Sequence, residues 1–124
     1  MQIIQHVAER LEDLHHAGYV HRDLKLSNIM WLPRENRWTL IDFGCAAPIG
    51  QTAPLRYSLK YAAPEVVRAV RAGERTIVAR ESMDAWSLGI VAMELFGGKN
   101  VINIVEGHEK VSRLIIARRI CTAR

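Results

Sequence analysis

Asn28 and Asp42 are the first candidates for chemistry, because a β-hairpin would bring them together. Two short apolar runs lie on either side of the polar segment 33–37, and this pattern predicts a hairpin with a five-residue loop. If Leu32 pairs with Trp38, Asn28 lies directly opposite Asp42, and side chains opposed in this way have Cβ atoms about 5 Å apart. A register shifted by one residue is the alternative.

An amide oxygen and a carboxylate at this spacing form a site for a hard cation. Mg²⁺ takes one or two protein carboxylates and leaves its other positions to water and phosphate oxygens. Asp23 and Lys25 come shortly before Asn28, so a second acid and a cation would lie near the metal. These groups suit phosphoryl transfer, in which catalysis consists of positioning groups and neutralising charge. As residue types they suit a metal-dependent hydrolase equally well.

Four short motifs decide between these two chemistries. Residues 21–28 read HRDLKLSN, residues 42–44 read DFG and residues 63–65 read APE. They match, in the same order, the H-R-D-L-x-x-x-N, D-F-G and A-P-E motifs of protein kinases. Residues 84–89, DAWSLG, look like the D-x-W-S-x-G start of a buried helix in those enzymes. The chain resembles the C-terminal lobe of a eukaryotic-type protein kinase over nearly all of residues 1–100.

This resemblance implies an activity, cofactors and roles for individual residues. The activity is transfer of the γ-phosphate of Mg·ATP to Ser or Thr hydroxyl groups of a protein substrate. Asp23 would be the catalytic base that accepts the hydroxyl proton, and Asn28 and Asp42 would hold Mg²⁺. Lys25 would act in catalysis by balancing charge at the γ-phosphate, and Met30 would lie under the adenine ring. Lys25, Asn28, Met30 and Asp42 would together bind the nucleotide.

Two positions indicate the kind of acceptor. A lysine at position 25 is typical of serine/threonine kinases, and Ser58 lies where those enzymes place a Ser or Thr that contacts the catalytic aspartate and lysine. Both features imply specificity for Ser and Thr. The resemblance also implies that Glu65 pairs with an arginine well beyond the buried helix.

The segment 44–65 corresponds to the activation segment of the family. Its first part carries Gly, Pro, Ser and Thr without sustained periodicity, which predicts a long surface segment, and loops of this length are usually functional or disordered. The family implies that Arg22 can bind a phosphate on this segment, and Thr52 and Ser58 are candidate acceptors. Pro54 occupies the position where an activating phosphorylation site often lies, which argues against control by phosphorylation.

Each of these residues has a structural interpretation when it is taken alone. Asp23 and Asp42 could be turn or capping carboxylates, and only the three motifs in order favour catalysis. His21 and Phe43 are predicted to be packing residues, and Met30, on the first hairpin strand, is predicted to be a core residue. Cys45 is small enough to be a filler, since reactivity requires a lowered thiol pKa.

The periodicity of the sequence predicts a mostly helical α+β fold with one small hairpin. An amphipathic helix is expected over residues 1–16, closed by Gly18, and a second helix is expected from Pro64 to about Val70. A buried helix is predicted over residues 83–96, because apolar residues surround it almost completely, with the two glycines that follow as its stop. A last amphipathic helix is expected over residues 105–120.

Composition limits the class of protein. The chain has 124 residues, of which 49% are hydrophobic and 24% charged, so it can form one globular core. Residues 1–14 lack the apolar core of a secretory signal, the longest apolar stretch is too short for a bilayer, and the two cysteines form no disulfide-like series. We therefore expect an intracellular protein, cytoplasmic or nuclear, without a membrane span. Residues 1–55 carry a net charge of −1 and residues 56–124 carry +5. This basic part lacks the dense Lys/Arg blocks and aromatic platforms of nucleic-acid binding, and no feature fixes an oligomeric state.

The parts of a kinase that cover ATP are not found in these residues. The sequence contains neither a G-x-G-x-x-G loop nor a V-A-I-K lysine. We therefore expect residues 1–124 to form a partial kinase domain, a C-lobe without the N-lobe, that is inactive by itself. The alternative is a non-catalytic, kinase-derived binding module that docks partners through the basic face after residue 56.

Overall fold

The computed structural model describes the backbone of residues 2–107 and the side chains of residues 2–97. Within this range the chain forms three α-helices and three two-stranded antiparallel sheets. The helices are α1 (Gln2–His16), α2 (Pro64–Arg71) and α3 (Glu81–Gly107). The strands are β1 (Tyr19–Val20), β2 (Ile29–Leu32), β3 (Arg37–Leu40), β4 (Ala47–Pro48), β5 (Thr52–Pro54) and β6 (Thr76–Val78), and short 3₁₀ turns cover Leu26–Asn28 and Leu59–Tyr61.

Helix α1 forms where the apolar spacing predicts it. It buries Val7 and Leu11 on one face, and these residues join the same apolar cluster as Leu24, Leu40 and Val91. The chain leaves the helix through Gly18, whose φ of +92° is in the left-handed region that favours glycine. Helix α1 thus packs against the hairpin and against α3 and closes one side of the core.

We expect Val7→Ala to lower the free energy of unfolding by about 2 kcal/mol, because it removes two fully buried methyl groups and leaves a small cavity. Urea denaturation of the natural protein and the variant measures the difference. Glu12→Ala, on the exposed face of the same helix, is the control and should change stability by less than about 0.5 kcal/mol. Equal effects of the two substitutions would contradict the packing described for α1.

The hairpin of β2 and β3 forms, but its predicted register is wrong by one residue. Leu32 pairs with Arg37 instead of Trp38, because the turn uses four residues and returns through Asn36 with a left-handed φ of +50°. In the observed register Trp31 lies opposite Trp38, and the two rings meet edge to face at 5.3 Å. Aromatic pairs of this kind stabilise one register of an antiparallel ladder.

The segment predicted to be irregular is held by strands at two places. Strand β4 pairs with β1, and β5 pairs with β6. The connection between α2 and α3 therefore contains a strand. Strands of two or three residues are too short to produce a detectable period-2 pattern, which explains why the sequence did not reveal them.

Helix α3 is longer than predicted and lies between two parts of the core. Met83, Trp86 and Ile90 belong to one apolar cluster, and Val91 belongs to the other, so burial around the helix is confirmed there. The predicted stop at residues 97–98 is wrong, because the helix continues to residue 107. A glycine costs a helix only about 1 kcal/mol relative to alanine. The last predicted helix, over residues 105–120, lies outside the described residues except for residues 105–107.

Among residues 2–107, no helix is both long and apolar enough to cross a membrane.

Candidate active site

A buried carboxylate at the start of α3 fixes the loop that carries the candidate catalytic residues. Asp84 is fully buried. Its Oδ2 accepts hydrogen bonds from the backbone N–H of His21 and from Nε2 of His15, both at 2.8 Å. Its Oδ1 accepts one from the backbone N–H of Arg22 at 2.9 Å. Because a buried carboxylate is costly without donors, these bonds account for its position and hold the loop against α3.

His21 connects this loop to the end of the hairpin. Its Nε2 donates to the carbonyl oxygen of Ile41 at 3.0 Å, and its Nδ1 accepts from the backbone N–H of Asp23 at 3.1 Å. These partners assign the tautomer with the hydrogen on Nε2. The ring also meets Phe43 edge to face at 5.2 Å. His21 is buried as expected of a packing residue, whereas Phe43 is 52% exposed.

Asn28 is buried against Asp23. Its Nδ2 donates to the backbone oxygen of Asp23 at 2.7 Å and to Asp23 Oδ2 at 3.2 Å. The amide hydrogens are thus used, which leaves Oδ1 of Asn28 as the atom for a cation. The backbone oxygen of Asn28 accepts from the N–H of Ile41 at 2.9 Å, so the loop and the hairpin meet at this residue.

Two side chains, one from the loop and one from the activation segment, converge on one oxygen of Asp23. Lys25 Nζ lies 3.6 Å from Asp23 Oδ1, and Ser58 Oγ donates to the same oxygen at 3.5 Å. Lys25 Nζ also donates to Ser58 Oγ at 3.4 Å. The structure thus brings Ser58 into contact with Asp23 and Lys25, although Ser58 is 35 residues from Asp23.

Asp42 follows the hairpin at an exposed position. The register places Ile41, not Asp42, across from Asn28, so the predicted direct opposition of Asn28 and Asp42 is wrong. A left-handed φ of +59° at Asp42 turns the chain after the strand, and its Oδ1 accepts from the N–H of Gly44 at 3.2 Å. No group of three or more His, Cys, Asp or Glu suited to a metal occurs in the described part of the chain.

Met30 lies on β2 with 47% of its surface exposed. The interpretation of Met30 as a core residue is therefore wrong. An exposed methionine on the hairpin leaves an apolar surface free for contact with a planar ligand.

Arg22 holds the activation segment through backbone oxygens. Its Nη1 donates to the carbonyl oxygen of Cys45 at 3.1 Å, and its Nη2 donates to that of Pro54. Burial lowers the pKa of the Arg22 guanidinium, an effect that the neighbouring Arg56 adds to and Asp84 opposes. The resemblance implied a phosphate as the partner of this arginine, and in the described structure two carbonyl groups occupy its Nη atoms.

The other predicted residues of the activation segment lie away from Asp23. Thr52 is exposed on β5 opposite Val78. Glu65, in the first turn of α2, accepts a hydrogen bond from Ser82 Oγ at 3.4 Å. Neither residue belongs to the group around Asp23.

The sequence did not reveal two supports of the site. His15 was not assigned a partner, and residues 84–89 were interpreted only as the start of a helix. The motif could have indicated the role of Asp84, because a carboxylate inside an apolar helix needs donors from elsewhere. For His15 the sequence contained no comparable signal.

The fold and this arrangement agree with what comparison of the sequence finds. A model of the protein kinase domain matches residues 1–123, and three helices with small antiparallel sheets fit a fragment of that domain. The chain is 35% identical over 123 residues to the serine/threonine-protein kinase Kist of Homo sapiens, which covers 88% of this chain and 28% of that protein.

Two further relatives are similar over shorter stretches. The probable serine/threonine-protein kinase fnkB of Dictyostelium discoideum is 30% identical over 104 residues, covering 79% of this chain and 18% of that protein. The hormonally up-regulated neu tumor-associated kinase of Homo sapiens is 38% identical over 93 residues, covering 70% of this chain and 12% of that protein. The chain spans less than a third of the length of these relatives. With a match over nearly all of its residues, it belongs to the protein kinase domain family.

Proposed function

We propose that this chain is the C-terminal lobe of a serine/threonine protein kinase and carries the residues that transfer the γ-phosphate of ATP to Ser or Thr hydroxyl groups of a protein substrate. The observation that carries the proposal is the convergence of Lys25 and Ser58 on one oxygen of Asp23, with Asn28 bound to the other. Protein kinases use ATP and Mg²⁺ and act on protein substrates. The names of the relatives support the same class of acceptor.

In this proposal Asp23 binds the acceptor hydroxyl and takes its proton. Its carboxylate has fixed partners on both oxygens, and its backbone N–H is bound to His21, so its orientation is set before a substrate arrives. Preorganisation of this kind lowers the barrier of a reaction that depends on positioning. Lys25 places a cation beside the oxygen at which the hydroxyl would bind, where it would stabilise negative charge on the transferred group.

The residues present fit a magnesium ion. Asn28 offers Oδ1 and Asp42 offers an exposed carboxylate, and both are the hard oxygen ligands that Mg²⁺ prefers. When bound, Mg²⁺ would neutralise charge on the phosphate oxygens of ATP. Exposed Met30 provides an apolar surface for the adenine ring on the same hairpin.

Calorimetry of ATP binding tests this assignment. We expect Asp42→Asn in the natural full-length protein to weaken Mg²⁺-dependent ATP binding at least about tenfold, the loss common even when only a residue supporting a metal ligand is removed. Glu35→Gln, an exposed carboxylate in the hairpin turn, is the matched control and should leave the affinity unchanged. ATP binding that is as tight with EDTA as with Mg²⁺ would argue against the site.

A non-catalytic binding module is the second candidate. Arg68, Arg71, Arg75 and Arg80 are all exposed in the basic part of the chain, which favours an acidic partner. This function would be favoured if the natural protein binds an acidic partner but neither binds Mg·ATP nor phosphorylates any peptide. For either function the free thiol of Cys45 agrees with the proposed intracellular location.

A further inference from the structure

An open cleft lies beside the candidate catalytic base. Asp23, Arg56 and Ser58 line it near the acceptor position. Part of its wall is apolar and comes from α2, β6 and α3, with Val66, Ile77 and Met83. Under the proposed function, the residues of a substrate that flank its acceptor hydroxyl would enter this cleft.

The charge of the cleft is positive. Asp23, Arg22 and Arg56 are the charged residues that line it. The carboxylate of Asp23 is opposed by Lys25 at 3.6 Å. The guanidinium of Arg22 is bound by two carbonyl groups and, within residues 2–97, by no carboxylate. Carbonyl dipoles orient this cation without cancelling its charge.

Arg56 adds a second cation that the fold leaves available. The residue before it is fixed, because the N–H of Leu55 donates to the carbonyl oxygen of Arg75 at 2.9 Å. The side chain of Arg56 is exposed and, within the described residues, makes no ion pair or hydrogen bond. It lies close enough to Arg22 to disfavour the charged form of that residue. Two neighbouring cations, of which one has a free guanidinium, favour an anion between them or beside them.

The nearest other cation of this segment has a different use. Lys60 Nζ lies 3.1 Å from Glu94 Oε2, and the carboxyl group of Glu94 is mostly buried. This pair fixes the lysine against α3. Selection of a charged substrate at this end of the cleft therefore rests on Arg56.

We infer that Arg56 is a specificity-determining residue that binds an anionic side chain of the substrate, a carboxylate or a phosphate, next to the acceptor Ser or Thr. This inference rests on the proposed function. Its chemistry is a charge-assisted bond between a guanidinium and an oxyanion, for which the planar fork of arginine is well suited. The apolar wall accommodates the neighbouring atoms of the peptide.

Matched peptides test the inference on the natural full-length protein. Each peptide carries one acceptor serine flanked by aspartate, by asparagine or by phosphoserine. We expect kcat/KM to be about tenfold higher for the aspartate peptide than for the asparagine peptide, as for a hydrogen bond to a charged group. The preference should collapse to about one in Arg56→Gln and persist in Arg75→Gln, a neighbouring exposed arginine that does not line the cleft. A larger preference for phosphoserine would identify a phosphate as the favoured oxyanion.

The outcomes separate this inference from the proposed function. A protein that phosphorylates none of the peptides would remove the support for kinase activity itself. A protein that phosphorylates the aspartate and asparagine peptides equally, or keeps its preference in Arg56→Gln, would overturn the role of Arg56 alone.

Discussion

Replacing Asp23 with asparagine is expected to lower kcat for peptide phosphorylation by the natural full-length protein by about 10²- to 10⁴-fold, the usual contribution of a positioned general base. The substitution keeps the size of the side chain and its hydrogen bond to Asn28 or Ser58. It removes the negative charge opposite Lys25 and the group that accepts the hydroxyl proton. Steady-state kinetics with a serine peptide and saturating ATP measure the loss.

The KM for ATP separates a catalytic role of Asp23 from a structural one. A loss confined to kcat indicates a group that acts on the acceptor, whereas a loss of ATP affinity would indicate a disturbed nucleotide site. Asp13→Asn is the matched control, because Asp13 is an exposed helix residue with an ion pair to Arg10. Undiminished phosphorylation by Asp23→Asn would refute the assignment of the base.

Asp84→Ala is expected to lower the free energy of unfolding by about 3–5 kcal/mol, because it leaves three hydrogen-bond donors unpaired. Each unpaired buried donor costs about 1–3 kcal/mol, and the cost is smaller where water can reach the donor. These donors are the backbone N–H groups of His21 and Arg22 and the imidazole of His15. Two of them belong to the loop that carries Asp23. We therefore expect phosphorylation to fall along with stability, and urea denaturation followed by activity measurements tests both.

A graded series makes the Asp84 prediction specific. Asp84→Asn keeps one acceptor oxygen and should cost less than Asp84→Ala. Glu81→Gln changes an exposed carboxylate in the first turn of the same helix and should change stability by less than about 0.5 kcal/mol, apart from its small interaction with the helix dipole. Similar losses in all three variants would show that the hydrogen bonds to Asp84 do not hold the loop.

The regular elements of this fold could be predicted where one residue pattern repeats over several turns. Helix α1 repeats its apolar positions over four turns, and α2 starts at Pro64, so both were predicted closely. The hairpin was predicted, but its register depends on whether the turn holds four or five residues. A left-handed Asn36 decides this, and hydrophobic pattern alone does not distinguish the two cases.

The contacts of the candidate site could likewise be predicted only in part. The resemblance implied that Ser58 would contact Asp23 and Lys25, and in the structure the three side chains lie within 3.6 Å of one another. The partners of Arg22 could not be predicted, because they are backbone oxygens, which every residue possesses. Hydrogen bonds to backbone oxygens depend on the path of the chain and do not require particular residue types at the accepting positions.

The imidazole of His21 has a mechanical consequence. One ring nitrogen accepts a hydrogen bond from the backbone N–H of Asp23, and the other donates to the carbonyl oxygen of Ile41, the residue before Asp42. The rigid five-membered ring therefore links the backbone at Asp23 to the backbone beside Asp42. A shift of the hairpin end would therefore move the backbone at Asp23, and a shift at Asp23 would move the backbone beside Asp42. The two backbone segments that carry Asp23 and Asp42 are thus coupled, and under the proposed function this coupling would limit how far the proposed base and the proposed magnesium ligand can move apart.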